Sequence, residues 1–144
     1  MRNYTVNQLE VGQKASISKI VTEDEVYQFA SITGDVNPVH VENEYAKNTL
    51  FKKRIAHGMF SAALVSAVIG VKLPGPGCIY INQTLYFLAP VYFDDTITAT
   101  VEVTRLILER NRVVLKTTCT NEYGKVVLDG EATVLAPIKP YLSK

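Results

Sequence analysis

This 144-residue sequence has few cysteines, no excess of charge of either sign and no long apolar run, and each absence excludes a class of protein. The two cysteines, Cys78 and Cys119, fall in strand-like segments and predict neither a disulfide framework nor a metal-ligand spacing. Residues 1–8 lack the apolar stretch of a secretory signal peptide. A reducing cytoplasm is therefore the predicted compartment.

The charges are balanced, with 15 Lys and Arg residues against 14 Asp and Glu residues. A net charge of +1 creates no general field that would attract nucleic acid or a membrane surface. The uncharged segment 59–71 is too short to span a bilayer. We therefore expect no nucleic-acid partner and no membrane partner. The length and the ordinary composition predict a single domain over residues 1–144.

Residues 56–73 form the segment around which the chain is organised. Residues 59–71 are mostly Ala, Ser, Val, Leu, Ile and Gly, and a helix that is apolar on all sides is predicted to be buried. Gly58 lies in the first turn, where backbone N–H groups have no partner within the helix and favour negative charge. Because glycine has no side chain to obstruct it, Gly58 leaves its N–H open to a ligand.

The N-terminal half predicts one strand and two further helices. A strand spans residues 13–21, and Thr22 with Glu25 predicts a capping box at the start of a helix that Gly34 ends. Helical spacing places four residues of this helix against the core: Val26, Phe29, Ala30 and Thr33. Asn43 is predicted to cap a second, short helix.

The C-terminal half predicts four strands after a break at residues 73–77. The first strand would place five side chains on one face: Ile79, Ile81, Gln83, Leu85 and Phe87. The second alternates apolar and polar residues with a period of two over residues 96–104. The third and fourth span about 112–120 and 125–135, joined by a hairpin turn. Together with the central helix, these strands predict an α+β fold in which an antiparallel sheet wraps around one long helix.

The two histidines, His40 and His57, are the first candidates for proton transfer, because histidine is the commonest general acid or base. His40 follows Asp35 by five residues, in a loop held by Gly34 and Pro38. A carboxylate and a neutral imidazole on one constrained loop can share a single water molecule. The alternative is that the residues of the Gly-Asp-x-Asn-Pro segment serve only to form a turn and that His40 is merely exposed to solvent. The spacing alone does not decide between these interpretations.

A resemblance to a known family comes from several of these segments. Residues 29–40, FASITGDVNPVH, followed by Ala46, resemble the signature of the R-specific enoyl-CoA hydratases, which are MaoC-like proteins with the hot-dog fold. Residues 56–59 (AHGM), 73–75 (LPG) and 77–91 resemble the same family, so the similarity covers almost the whole chain. The resemblance implies the hot-dog fold and an acyl-CoA substrate. It also implies that the enzyme needs neither a metal nor a redox cofactor.

The resemblance implies a role for each matching residue. Asp35 and His40 would activate the water that adds to C3 of a trans-2-enoyl-CoA and would return a proton to C2, giving a (3R)-3-hydroxyacyl-CoA. Gly58 N–H would bond the thioester oxygen as enolate charge develops, which agrees with the open helix start inferred above. Asn37 would fix the loop rather than touch the reacting atoms.

Four residues are candidates for substrate binding: Asn37, His57, Met59 and Gln83. His57 could line the pocket, although a structural contact is favoured, and Gln83 could line the acyl pocket or satisfy the backbone. The basic segment 52–54 could meet CoA phosphates as point charges, but such a run is more often a solvated face.

Three other functions are considered beside enoyl-CoA hydration. A 3-hydroxyacyl-ACP or 3-hydroxyacyl-CoA dehydratase would run the same chemistry backwards on the same loop. An acyl-CoA thioesterase would direct water at the carbonyl, and the pair of Asp35 and His40 argues against it. A non-catalytic acyl-binding subunit should lack one of the two, and this chain keeps both. A homodimer is expected, because a single curved sheet leaves one edge strand and one apolar flank uncovered.

Overall fold

The computed structural model of the protein describes residues 1–142 and shows an antiparallel sheet packed around one long helix. The strands are β1 Lys14–Ile20, β2 Ile79–Gln83, β3 Tyr86–Phe87, β4 Thr96–Ile107, β5 Arg112–Thr120 and β6 Val126–Leu135. The α-helices are α1 Glu23–Thr33, α2 Pro38–Val41, α3 Asn43–Lys47 and α4 Gly58–Val71. The strand order is β1-β4-β5-β6-β2, and β3 also pairs with β6. The α+β architecture predicted from the sequence is confirmed.

The centre of the sheet follows the predicted alternation. In β4, Ile97, Ala99, Val101 and Val103 are buried against the core, and the threonines between them are half-buried on the other face. Full burial of a side chain such as Ile97, Val101 or Val103 contributes roughly 1.5–3 kcal/mol to folding. β4 continues to Ile107, beyond the predicted end, after a register shift that follows Val103.

The strand predicted over residues 79–87 is instead two short strands. The backbone between them approaches β6 closely at Gly130, where any Cβ would collide with the carbonyl oxygen of Thr84. Thr84 N donates to the Glu131 carbonyl at 2.9 Å, which holds the connecting segment against β6. A glycine in β6 therefore determines where β2 stops.

The prediction of a single apolar face for this segment is wrong. The pairing of β2 with β6 shifts register between Tyr80 and Asn82, which is a bulge that changes the side to which the following residues point. Tyr80 and Gln83 consequently lie side by side, and the Tyr80 hydroxyl donates to Gln83 Oε1 at 2.7 Å. The five side chains predicted to share a face do not form a buried row: Ile79, Ile81 and Phe87 are exposed, and Gln83 and Leu85 are half-buried.

The start and end of α1 follow the sequence prediction in part. Thr22 Oγ1 accepts a hydrogen bond from Glu25 N at 3.3 Å, and Gly34 ends the helix at φ 80°. The Glu25 carboxylate forms an ion pair with Lys19 of β1 at 2.8 Å instead of completing a capping box. This ion pair joins the first turn of α1 to the edge strand that precedes it.

Two local predictions in this half are wrong. Thr33 is exposed, because its hydroxyl donates to the Phe29 carbonyl at 2.7 Å and accepts from Asp35 N at 3.1 Å. Thr33 therefore supports the loop that follows α1 and not the core. Asn43 is the first residue of α3 and does not cap it, since Glu42 occupies the N-cap position without a side-chain bond.

Helix α4 is only partly enclosed by the sheet. Val65 and Val68 are fully buried, whereas Met59, Ala63 and Ser66 are exposed along one stripe at helical spacing. The prediction of burial on all sides is therefore wrong for this stripe, because a single sheet covers a single side of the helix. No helix within the described residues is long and apolar enough to cross a membrane.

Candidate active site

Short-range hydrogen bonds fix the loop between α1 and α2. Asp35 Oδ1 accepts from Asn37 N at 3.3 Å, and Asn37 Oδ1 accepts from Val39 N at 3.3 Å, which caps α2. Asn37 therefore has the loop-fixing role that the resemblance implied. The same turn places His40 in the single-turn helix α2, which begins three residues after Asp35. The turn interpretation and the catalytic interpretation of the motif are thus compatible.

His40 is buried, with 8% of its surface exposed, so the interpretation of a merely solvated histidine is wrong. Its Nδ1 lies 2.7 Å from the carbonyl oxygen of Ile55. A carbonyl oxygen only accepts hydrogen bonds, so in the neutral ring Nδ1 carries the proton and Nε2 keeps a lone pair. Nε2 is therefore the nitrogen of His40 that can take a proton from water.

The surroundings of His40 favour its neutral form. Burial lowers the pKa of His40 from its ordinary value of 6.5, and the nearby His57 imidazole lowers it further. The hydrogen bond to the Ile55 carbonyl and the charge of Asp35 act in the opposite direction without reversing the shift. His40 is consequently ready to accept a proton at neutral pH.

His57 occupies the N-cap position of α4 and lies against both catalytic candidates. Its ring stacks on that of His40, with 3.9 Å between centroids and 30° between planes. Its Nε2 donates to the main-chain carbonyl of Asp35 at 2.8 Å. One polar side-chain atom of each of Asp35, His40 and His57 lies within 4.8 Å of the others. The sequence spacing did not predict this cluster of one carboxylate and two imidazoles.

Gly58 begins α4 beside this cluster, and its N–H has no acceptor among the described residues. A Cβ at this position would lie 2.6 Å from Cδ1 and Cε1 of Phe87. The absence of a side chain therefore lets the Phe87 ring lie over the helix start. The sequence predicted an open N–H at Gly58, but it did not predict the aromatic ring beside it.

Two cavities meet at Met59. The larger, of about 680 Å³, is lined by Phe29, Thr33, Asp35, Met59, Ala62, Ala63, Ser66, Tyr80, Gln83 and Leu85. The smaller, of about 480 Å³, is lined by Phe51, Ile55, Ala56, Gly58, Met59, Ser61, Phe87, Leu88, Ala89, Pro90, Val91, Val127 and Leu128. Both volumes fall within the range of small-molecule sites. Asp35 borders the first cavity and Gly58 the second, and Met59, the residue after Gly58, borders both.

Gln83 lines the larger cavity with an amide that is held by the protein. Its Nε2 donates to Thr117 Oγ1 at 2.8 Å and to the Thr84 carbonyl at 2.9 Å. Its Oε1 accepts from Tyr80, whose pKa is raised to about 12 by burial, so the hydroxyl remains a donor at neutral pH. Gln83 therefore satisfies a backbone carbonyl, as one interpretation had it, and lines a cavity, while its contact with an acyl chain stays a prediction.

The basic segment 52–54 divides into two environments. The Arg54 side chain is largely buried, pairs with Glu23 at 2.9 Å and packs its guanidinium over the Phe93 ring. Lys52 and Lys53 are exposed. The interpretation of a solvated face is therefore wrong for Arg54, whose charge is already compensated, and holds for the two lysines.

Comparisons with known proteins show what this chain is similar to. Residues 5–124 match the model of the MaoC like domain. An (R)-specific enoyl-CoA hydratase of Rhodospirillum rubrum is 53% identical over 131 residues, which are 91% of this chain and 90% of that protein. A 3-hydroxybutyryl-CoA dehydratase of Methylorubrum extorquens is 50% identical over 131 residues, covering 91% of this chain and 83% of the relative. The unliganded R-hydratase structure from Pseudomonas aeruginosa has a TM-score of 0.91 at 45% identity and covers 99% of this chain and 94% of its own. The hot-dog fold expected from the sequence is thereby confirmed.

Proposed function

The chain belongs to the MaoC-like domain family, and from this premise we propose that it catalyses (R)-specific hydration of trans-2-enoyl-CoA to (3R)-3-hydroxyacyl-CoA. The observation that carries the proposal is the meeting of three groups at one point. They are the Asp35 carboxylate, a buried His40 with a fixed tautomer, and the unpaired N–H of Gly58, which directly follows the His57 that clusters with the first two. This reaction needs proton-accepting groups that activate a water molecule and, beside them, a hydrogen-bond donor that stabilises an oxyanion.

The proposed reaction proceeds by addition of one water molecule. Asp35 and His40 Nε2 hold the water and remove one proton, so that its oxygen forms a bond to C3 of the enoyl group. The electron pair of the C2=C3 double bond moves toward the thioester carbonyl, and Gly58 N–H stabilises the resulting oxyanion. The proton that Asp35 and His40 removed from the water is then delivered to C2. The product contains the hydroxyl on C3 and the hydrogen on C2, and the site returns to its initial protonation state.

The two cavities suggest how the substrate lies. We place the acyl chain in the larger cavity, whose apolar wall includes Phe29, Ala62 and Leu85. The thioester would lie at Gly58, and the CoA arm would leave through the smaller cavity. Met59 borders both cavities, so it would contact the substrate at the junction between its two parts.

The test of the proposed function is the loss of enoyl-thioester absorbance when the protein is added to crotonyl-CoA. Chiral chromatography of the hydrolysed product should give the (R) enantiomer of 3-hydroxybutyrate. Release of free CoA would instead indicate a thioesterase, and no reaction would indicate an acyl-binding subunit. Turnover of the crotonyl-acyl-carrier-protein thioester but not of crotonyl-CoA would assign the carrier protein as the substrate.

The reverse direction is a second candidate, because one close relative is named a 3-hydroxybutyryl-CoA dehydratase. The same residues would act in the opposite order, with His40 and Asp35 returning water to solvent. Adding (3R)-3-hydroxybutyryl-CoA should therefore raise the enoyl absorbance. Rates measured separately in the two directions establish which one the enzyme favours under cellular concentrations.

The two edges of the sheet differ in a way that supports a homodimer. β1 carries Lys14 and Lys19, and charged residues on an edge strand discourage further pairing. At the opposite edge, Ile79, Ile81 and Tyr86 are exposed on β2 and β3. The uncovered stripe of α4 adds apolar surface, including Met59 at 54% exposure. We propose that a second copy of the chain covers this flank.

Sedimentation velocity at micromolar concentration should give roughly twice the monomer mass of 16.0 kDa. Ile81→Lys places a charge in the proposed interface and should shift the protein toward monomer. Tyr123→Lys is the matched control, because Tyr123 is 86% exposed in the β5–β6 turn and outside this edge. A wild-type protein that sediments as a stable monomer would contradict the dimer.

The pH dependence of turnover should show an acidic limb below pH 6.5. His40 must be neutral to accept a proton, and burial together with His57 lowers its pKa below that ordinary value. The unfolded chain binds the same proton more readily, so the free energy of unfolding should also decrease as the pH falls through the lowered pKa. Profiles of kcat/KM and Tm over about pH 5–8 measure both effects. An acidic limb above pH 6.5 would contradict the assignment to His40.

A further inference from the structure

His57 is a buried imidazole that no step of the proposed mechanism uses. It is 2% exposed, and its ring lies between that of His40 at 3.9 Å and that of Phe29 at 4.9 Å. Like His40, it is not among the residues that line the two cavities at the site. Its position at the N-cap of α4 places it immediately before Gly58.

The hydrogen bonding of His57 is directed to a single partner. The Asp35 carbonyl can only accept, so Nε2 carries the proton and Nδ1 keeps a lone pair. Nδ1 is buried and has no hydrogen-bond partner among the described residues. The contact with Asp35 is therefore the one hydrogen bond that the His57 side chain makes within residues 1–142.

The same bond is equally important for the loop that it holds. Residues 34–37 are exposed, and their other hydrogen bonds join them only to one another or to the adjoining turns of α1 and α2. Within the described chain, the bond from His57 is what attaches this loop to α4. The ring stack attaches His40 to the same point.

We propose that His57 is a positioning residue that holds Asp35 and His40 in register with the N–H of Gly58. The Asp35 main chain is held by hydrogen bonding, the His40 ring is held by stacking, and Gly58 follows His57 directly in the chain. This inference rests on the proposed function. It adds that the water-activating pair and the oxyanion donor, which belong to separate elements, are aligned by one side chain.

Two substitutions separate the two contacts of His57. His57→Phe keeps an aromatic ring for stacking but removes the donor to Asp35. His57→Gln keeps an N–H donor that can reach the carbonyl but removes the stack. We expect His57→Phe to lower kcat by roughly 10–100-fold with little change in KM, since a displacement of about 1 Å at a catalytic group has effects of this size. We expect His57→Gln, which keeps the bond to Asp35 but loses the stack on His40, to lower kcat by less than His57→Phe does.

The control for a purely structural effect is Val68→Ala, which truncates a fully buried residue of α4 that borders neither cavity. It should lower Tm while kcat per folded molecule stays close to that of the wild type. If His57→Phe does not fold at the assay temperature, His57→Gln still tests the inference through its pH profile.

The pH at which kcat/KM falls on the acidic side is a readout that a purely structural role of His57 would not change. The titratable groups acting on His40 are His57 at the start of α4 and Asp35 in the loop, in addition to the burial and the Ile55 carbonyl. Both His57 variants remove the ionisable imidazole that lowers the pKa of His40, so the acidic limb of kcat/KM should move to higher pH. The limb of Val68→Ala should stay in place.

The outcomes distinguish this inference from the proposed function. A wild-type protein without hydratase or dehydratase turnover overturns the proposed function itself. An active wild type overturns the inference about His57 if His57→Phe retains kcat within about twofold per folded molecule. An unmoved acidic limb in both His57 variants would overturn it as well.

Discussion

Asp35→Asn should lower turnover on crotonyl-CoA by roughly 10²–10⁴-fold while the protein remains folded. The amide of asparagine can still accept from Asn37 N through its oxygen, so the loop should keep its path. The side chain is exposed, and substitutions of this kind usually change stability by no more than about 0.5 kcal/mol. What disappears is the negative charge and the proton acceptor.

His40→Ala should lower turnover by a similar factor of roughly 10²–10⁴ but should also destabilise the fold. His40 is buried, and its loss leaves the Ile55 carbonyl without its partner, at a cost of about 1–3 kcal/mol. Since the two residues act on one water molecule, the double variant should be little slower than the slower single variant.

Turnover and thermal unfolding of all three variants test this pair of roles. A turn-forming role alone would make both single changes lower Tm while kcat per folded molecule stayed near the wild-type value. The expected pattern is instead an unchanged Tm for Asp35→Asn, a lower Tm for His40→Ala, and a large loss of turnover in both. Near-wild-type turnover in either single variant would contradict the proposed mechanism.

Gly58→Val should lower turnover by roughly 10²–10³-fold, the usual cost of losing one oxyanion-hole donor. The backbone N–H is still present in this variant, but the branched side chain would occupy the position of the thioester oxygen. The structure adds a second source of crowding, because a Cβ at residue 58 lies 2.6 Å from the Phe87 ring. The Phe87 ring is exposed to 53% and can rotate away, so we expect the fold to survive.

Gly58→Ala with and without Phe87→Ala separates these two kinds of crowding. If the methyl group acts only by displacing the Phe87 ring, removal of that ring should restore turnover to the level of Phe87→Ala alone. If the methyl group obstructs the thioester oxygen, the double variant should remain as slow as Gly58→Ala. We expect the second result, with Tm of every variant measured to correct for the folded fraction.

Local patterns predicted the parts of the fold that depend on local physics. The alternation in β4 is visible because one face of that strand is buried and the other carries threonines. Thr22 and Gly34 mark the ends of α1 through bonds that reach only a few residues. The split between β2 and β3 depends on the contact of Thr84 with Gly130, which is distant in sequence, so no local pattern indicated it.

The site divides in the same way. Asp35, Asn37 and His40 are close in sequence, and the turn that they form could be predicted from the sequence. The contacts of His57 with Asp35 and of Phe87 with Gly58 join separate elements and needed the folded chain. The signal for His57 was its place directly before the glycine of the predicted helix start.

Both imidazoles at the site are anchored by main-chain oxygens, His40 by that of Ile55 and His57 by that of Asp35. Every residue type offers such an oxygen, so the bond that holds His40 does not depend on which side chain position 55 carries. The tautomer of His40 is thus set by the path of the backbone. The acceptor that fixes His40 therefore cannot be identified from residue types and is seen only in the folded backbone.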